Sequence, residues 1–487
     1  MLSKYQICYF RMILILLLVT TIGGCRKLVD IQAPVTGVNQ DNVYASDATA
    51  ISVLTGIYIA MSRNDIFTGN GGTSGSISLS AGLSADEFTL WNGIPTNDVR
   101  YYLFTNALFA NVPGINPGSN FWSQLYNQSY IFACNSAIEG LTKSSVLTPA
   151  IKQQLLGEAK FLRAFFYFYL VNLYGDVPLI TATDWQVNVN LSRTAKVQVY
   201  QHIISDLLDA QNLLSQSYLN GNLQPYSGLP ERIRPSKAAA TAFLARVYLY
   251  AGDYLNAEIQ ATSVINNSEQ FSLTTLNNVF LKNSTETIWQ LQPTTTGHNT
   301  EDGWVFILNT ALSSSKPVCL STFLLDAFEI GDNRRANWVK DTSILGVNYS
   351  YPYKYKSATN NAAITEYLMV LRLSEQYLIR AEARVQQNKI GIAQDDLNMI
   401  RARANLGITM ANDKTSLLTS ILHERQVELF TEWGHRWFDL KRTGNVDGVM
   451  NVVTPLKGGL WHSYQQLYPI PLADIQKDPN LNQSQGY

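Results

Sequence analysis

Residues 158–179 read Glu-Ala-Lys-Phe-Leu-Arg-Ala-Phe-Phe-Tyr-Phe-Tyr-Leu-Val-Asn-Leu-Tyr-Gly-Asp-Val-Pro-Leu. Within a helix predicted over about 150–174, Leu155, Ala159, Leu162, Phe166, Tyr169 and Leu173 recur at alternating spacings of four and three. That spacing places them on one face. Phe161, Phe165 and Phe168 form a second apolar stripe beside it. A helix apolar on two sides must be covered on two sides, so this one is predicted to lie at the centre of the fold. Gly175 ends it and Pro178 blocks its return.

The same periodicity, followed outward, predicts helices at about 47–61, 120–141, 195–217, 236–250, 253–267, 371–388, 390–404, 414–431 and 435–442. In one pair, Ala238, Ala242, Ala245 and Leu249 share a face and Gly252-Asp253-Tyr254 makes the turn. Small residues at this spacing let two helices approach closely, and antiparallel pairs of this length resemble tetratricopeptide units. Residues 69–76 and 91–119 are rich in Gly, Asn and Pro and read as loops. From about 268 to 365 helical periodicity dissolves into a long irregular insertion with short β-like runs such as Thr287–Leu291. The tail from Leu467 reads as extended chain on the surface.

At the N-terminus, Lys4 and Arg11 precede an apolar run, Met12–Ile22, which closes on Ile22-Gly23-Gly24-Cys25. This pattern predicts a secretory signal peptide over residues 1–24. The small-small-Cys ending resembles a bacterial lipobox, so Cys25 is the expected lipidation site, followed by a flexible tether over 25–45. The apolar run is too short for the ~20 residues of a spanning helix, and nothing after Cys25 is apolar enough to span. Membrane attachment is therefore expected through lipid.

The chain of 487 residues is long enough for a large core. It carries 36 Lys and Arg against 37 Asp and Glu, without a basic block. A nucleic-acid partner, which needs a basic face, is not expected. Cys8 leaves with the signal peptide. Cys134 and Cys319 are then either a disulfide or two buried small apolar residues. No Cys or His spacing suggests a metal, and no cofactor motif is present.

Catalytic constellations are also missing: there is no G-x-S-x-G elbow, P-loop or dinucleotide fingerprint. The nearest approach is Glu424 and Glu428, four residues apart on one helix face and extended by Glu432. Two carboxylates can serve glycoside hydrolysis, but neighbours on one helix do not flank a sugar from both sides. A buried ion-pair network, neutralised by Arg425, Arg436, Lys441 and Arg442, is the preferred reading. No catalytic residue is expected.

Aromatics offer more. Trp91 lies in Leu90-Trp91-Asn92-Gly93-Ile94-Pro95, just after Asp86-Glu87, and Trp304 follows Glu301-Asp302-Gly303. Tyr351, Tyr353 and Tyr355 alternate with Pro352 and Lys354, which predicts that they project from one side of an extended strand. A ring flanked by Asn, Asp and Gly suits a pyranose: the ring covers the C–H face while amides and carboxylates meet the hydroxyls. Trp91, Asn92, Trp304, Tyr351, Tyr353 and Tyr355 are thus candidate glycan-binding residues. The competing reading is that these rings pin loops onto the helical body.

The segment Glu158–Leu179 closely resembles the signature helix of the SusD/RagB family of outer-membrane lipoproteins. Further blocks agree in order: Ala239–Tyr254; Arg372-Leu373-Ser374-Glu375 leading to Arg380-Ala381-Glu382-Ala383; Leu397-Asn398 through Arg403-Ala404; Glu424-Arg425 through Asp439-Leu440; and Leu467-Tyr468-Pro469-Ile470-Pro471. The resemblance implies an all-α fold of tetratricopeptide-like helix pairs, a curved scaffold carrying a loop-rich ligand face. It implies one SusD-like domain over 46–487, with the scaffold mainly at 46–66, 120–267 and 366–445 and ligand-side segments at about 67–119 and 268–365. It further implies a lipid-anchored protein on the outer face of the outer membrane, partnered by a SusC-type TonB-dependent transporter and capturing glycans. A peptide-capturing, RagB-like role is the alternative, and a surface glycoside hydrolase is less favoured.

Overall fold

The computed structural model describes residues 43–62, 76–110, 119–128 and 130–487. The predicted signal segment, Cys25 and most of the predicted tether lie outside the described residues, as do 69–75 and 111–118 of the predicted loops. The longer helices are α1 (Asp47–Ser62), α2 (Ile77–Ser84), α3 (Tyr130–Lys143), α4 (Pro149–Tyr174), α5 (Lys196–Leu213) and α6 (Lys237–Ala251). They continue with α7 (Tyr254–Ile265), α8 (Leu373–Gln386), α9 (Ile390–Arg403), α10 (Lys414–Glu428), α11 (His435–Arg442) and α12 (Val446–Leu456). Among the described residues the strands are short: β1 (Phe88–Leu90), β2 (Thr287–Leu291), β3 (Val318–Leu320), β4 (Val339–Ile344), β5 (Val347–Pro352) and β6 (Leu368–Arg372).

Helix α4 is the axis of the molecule. Every residue from Phe161 to Tyr174 is buried, as its two apolar stripes require. Pro149 opens it, and Gly175, at φ +76°, ends it. α3 and α5 pack on α4, α6 on α5, and the succession continues α6–α7, α7–α8 and α8–α9. The scaffold is thus a run of neighbouring helix pairs. The turn Gly252-Asp253 forms as expected, with Gly252 left-handed at φ +78° and Asp253 capping Asn256 at 3.1 Å.

Polar side chains on α4 set the register of its neighbours. Arg163 donates to both carboxylate oxygens of Asp206 on α5, at 2.7 and 2.8 Å, and to Asn135 on α3 at 2.8 Å. Glu158 pairs with Arg234 at 2.7 Å and accepts from Tyr58 of α1 at 2.8 Å. On the apolar side, Phe161 and Phe165 meet Trp289 of β2 at ring separations of 5.0 and 5.5 Å. The antiparallel pair β2–β6 therefore seats the irregular insertion directly on the central helix.

A second, electrostatic seam holds the insertion. Glu428, at the end of α10, pairs with Arg372 at 2.6 Å, with Arg334 at 3.1 Å and with Arg403. Arg334 also pairs with Glu424 at 2.6 Å, Arg372 with Glu432 at 2.8 Å, and Arg403 with Glu286. The network expected around Glu424 and Glu428 exists, but its cations are not those predicted. Arg425 pairs with Asp439, Arg436 with Asp86, and Arg442 with Glu382 and Asp439. The Lys441 ammonium donates to the Gln466 carbonyl. The true partners arrive from distant segments, so proximity in sequence misdirected the assignment.

Two further expectations are corrected. Helix α2 lies in a stretch read as loop-rich; all eight of its residues are buried. The tail does not merely lie on the surface: Tyr468 and Ile470 are buried, and Tyr468 reaches Ser84 of α2 at 2.9 Å. Cys134 and Cys319 are free and buried, so the apolar reading holds.

Burial alone would raise the Glu428 carboxyl, but Arg403, Arg372 and Arg334 outweigh it and hold the group well below the usual range. A depressed folded pKa stabilises above the unfolded value of about 4.3 and is lost as pH falls through the folded one. Glu428→Gln is therefore expected to cost about 3–5 kcal/mol at pH 7. The deficit relative to wild type should shrink as pH falls below about 4, measured by urea unfolding across that range.

Candidate ligand-binding face

β1 and β3 pair antiparallel with Leu90 opposite Val318, and the ladder ends where Trp91 N–H donates to the Pro317 carbonyl at 2.7 Å. Ile94, buried, anchors the following turn and donates to the Trp91 carbonyl at 3.1 Å. Between them Asn92 and Gly93 are exposed and Trp91 is half-buried. The indole lies over Gly93, where a Cβ would collide with the ring. Glycine is thus required here for close approach of a side chain.

Trp304 sits on a one-turn helix, Glu301–Phe306, capped by Thr300 on Gly303 N–H at 3.0 Å. The His298 imidazole stacks on its indole at 4.1 Å and 16°, and His298 Nδ1 lies 3.2 Å from Glu301 Oε1. Lys316 Nζ donates to the carbonyls of Trp304 and Ile307 at 2.6 and 2.7 Å, 5.6 Å from the indole centre. Because Lys316 immediately precedes Pro317, the segment entering β3 touches both tryptophan loops. Nothing in the sequence marked His298 or Lys316: both gain their position only from the tertiary fold.

The tyrosine run is split. Tyr351, on β5, is buried with Ile307, Leu308 and Cys319 beside β3. Tyr353 is half-buried, edge-on to Tyr351 at 6.0 Å, with the ammonium groups of Lys356 and Lys340 at 4.2 and 4.9 Å from its centre. Tyr355 turns into the core, 5.2 Å from Phe280, and its hydroxyl accepts from Met369 N–H at 2.9 Å. The expectation that all three share one open side fails, because β5 ends at Pro352 and the backbone rotates. Tyr351 and Tyr355 are both buried and expose no ring as a platform in this conformation. Lys354 fixes the change of direction, donating to the carbonyls of Glu428 and Phe430 at 2.8 Å each and to Glu432 at 2.5 Å.

Buried acids lie next to both tryptophan loops in the chain: Glu87 just before β1 and Asp302 two residues before Trp304. Burial, then the Glu301 charge, push Asp302 up to about 8, while Ser76 and Ser78 oppose the shift and Glu432 adds to it. Burial likewise raises Glu87 to about 7 against the donor Thr431 N–H, with Asp86 adding. At neutral pH Asp302 is thus mostly protonated and Glu87 about half so. Elsewhere, Glu424 and Glu428 are fully buried and ion-paired, which removes them from contact with a substrate. Among the described residues no group of three or more His, Cys, Asp or Glu is placed to hold a metal ion.

Residues 105–249 match a SusD-like family model described as starch-binding associating with outer membrane, and residues 327–487 match the SusD family model. A SusD-like protein of Formosa agariphila is 28% identical over 432 residues, 74% of this chain and 79% of its own. The starch-binding protein SusD of Bacteroides thetaiotaomicron is 35% identical over 130 residues, 24% of this chain and 21% of its own. The solved structure of a laminarin-binding SusD-like protein superposes with a TM-score of 0.72 at 22% identity, covering 90% of this chain and 99% of that one.

A carboxyl raised on folding holds its proton while the unfolded chain has lost it, so stability declines as pH climbs from about 4 toward the folded value. Asp302→Asn removes that decline. The variant is expected to gain on wild type by up to about 1.4 kcal/mol per pH unit between pH 5 and pH 8. Guanidinium unfolding at the two pH values checks this; parallel profiles would mean Asp302 is ionised in the fold.

Proposed function

The chain belongs to the SusD-like family, and from that premise we propose that it is a cell-surface glycan-binding lipoprotein. It captures oligo- or polysaccharide and delivers it to a SusC-type TonB-dependent transporter. Cys25 carries the lipid anchor after removal of residues 1–24, and residues 25–45 form the tether of the SusD-like domain over 46–487. The protein faces the cell exterior from the outer membrane. It binds rather than cleaves its glycan.

The observation that carries this reading is that the two residues entering β3 hold both tryptophan loops: Pro317 accepts from Trp91 N–H at 2.7 Å and Lys316 donates to the Trp304 carbonyl at 2.6 Å. An indole beside an exposed amide, held by a glycine-dependent turn, is a ready platform for a sugar ring. The family description, the starch-binding relative and the laminarin-binding neighbour support carbohydrate as the ligand class. Because His298 covers one face of Trp304, that indole can offer only its other face and its edge, which makes Trp91 the principal platform.

Isothermal titration against starch, laminarin, xylan and mannan oligosaccharides is expected to yield at least one ligand. Trp91→Ala should then lose about tenfold or more in affinity, the scale of a stacked aromatic anchor. Silence across the sugars with binding to peptides instead would favour the RagB-like alternative.

A further inference from the structure

On another part of the surface, a cleft of about 710 Å³ opens between the end of α4's descending loop and the C-terminal tail. Trp185, on the short turn Trp185–Asn188, lines it with 71% of its surface exposed, and Phe132 of α3 joins it at 49%. Single exposed apolar residues need no explanation, but two large rings sharing one concavity do. Tyr126 lines the same cleft from Ser123–Gln128, which is a π-helix. Such turns cost helical regularity and recur at functional sites. Burial and the Asp478 and Asp474 charges push the Tyr126 phenol up, so it presents an O–H donor. Asp474, Lys477 and Asp478 complete the tail side and Asn188 the opposite wall.

We propose that this cleft is a second carbohydrate-binding site, distinct from the Trp91 face and taking a neutral di- or trisaccharide unit. The proposal rests on the glycan-capture reading of the molecule. The volume falls within the range that receives a compact ligand. The exposed indole supplies a C–H stacking surface; the Tyr126 phenol, the Asn188 amide, which already donates to the Ala182 carbonyl at 2.9 Å, and the second oxygen of Asp478, whose Oδ1 accepts from Asn480 N–H at 2.9 Å, supply hydroxyl partners. Two aspartates against one lysine leave a single net negative charge, which disfavours sulfated or uronic sugars. Concavity favours a small ring over the flat surface of a protein partner. A second site on the same rigid body would raise avidity for long chains without new contacts at the first.

The test uses the intact protein labelled with 5-fluorotryptophan, whose nine tryptophan resonances are separable by ¹⁹F NMR and assigned through Trp185→Phe, Trp91→Phe and Trp304→Phe. Maltoheptaose, laminarihexaose, xylohexaose and mannohexaose are the probes. The Trp185 resonance is expected to shift with at least one of them, and to do so still in the Trp91→Ala variant. Trp185→Ala should also weaken binding of the matching polysaccharide at least about tenfold, through lost bivalency. If Trp91 or Trp304 responds while Trp185 stays unmoved at saturation, the second site is overturned and the capture reading stands. If no tryptophan responds to any sugar, both readings fall.

Discussion

The carboxylate of Glu428 is the constraint on which the rest of this molecule depends. It lies at the end of α10 with no solvent exposure and is met by guanidinium groups from three separate places: Arg334, Arg372 and Arg403. Through them it is linked to Glu286 just before β2 and to Glu432 just beyond α10. A charge taken out of water at this depth is tolerable only while its partners remain. The insertion therefore cannot lift from the helical scaffold piecemeal, because each detached segment would strand a buried charge. A purely apolar seam would permit sliding; bidentate and multiply shared ion pairs do not.

That rigidity shapes the ligand-side face. Lys354 reaches into the same seam, past the aromatic rings of Phe430 and Trp338, and its three hydrogen bonds decide which tyrosines point outward. Tyr353 is left at the surface, while Tyr355 is spent on the core. The segment leading into β3 then ties the Trp91 turn to the Trp304 helix through Pro317 and Lys316. Loops held in this way lose little freedom on binding, so more of each contact reaches the net affinity. The arrangement follows a general division of labour, in which a regular scaffold positions irregular segments that carry recognition.

Much of the scaffold was legible in the chain. The four-three spacing from Leu155 to Leu173 located α4, its two apolar stripes predicted its centrality, and Gly252-Asp253 marked the helix turn. The misreadings share one cause. Helix α2, Ile-Ser-Leu-Ser-Ala-Gly-Leu-Ser, is buried on every side, so it carries no polar face for periodicity to detect. Tyr468 reads as surface tail until Ser84 and Tyr174 are known to wait beneath it. For the candidate site, the ring types and their glycine-rich surroundings were visible, whereas the His298 stack and the inward turn of Tyr355 were not.

By itself the sequence determined most of the longer helices, the turn between α6 and α7, the need for charge neutralisation along Glu424, Glu428 and Glu432, and the ordered blocks that mark the family. These are local properties: spacing along one helix, or a turn residue beside its neighbours. Tertiary structure alone decided which arginines neutralise those carboxylates, which aromatics reach the surface, and that the segment entering β3 contacts both the Trp91 turn and the Trp304 helix. Each depends on segments tens to hundreds of residues apart meeting in space. Periodicity reports the face a side chain occupies, but not what the fold lays against that face.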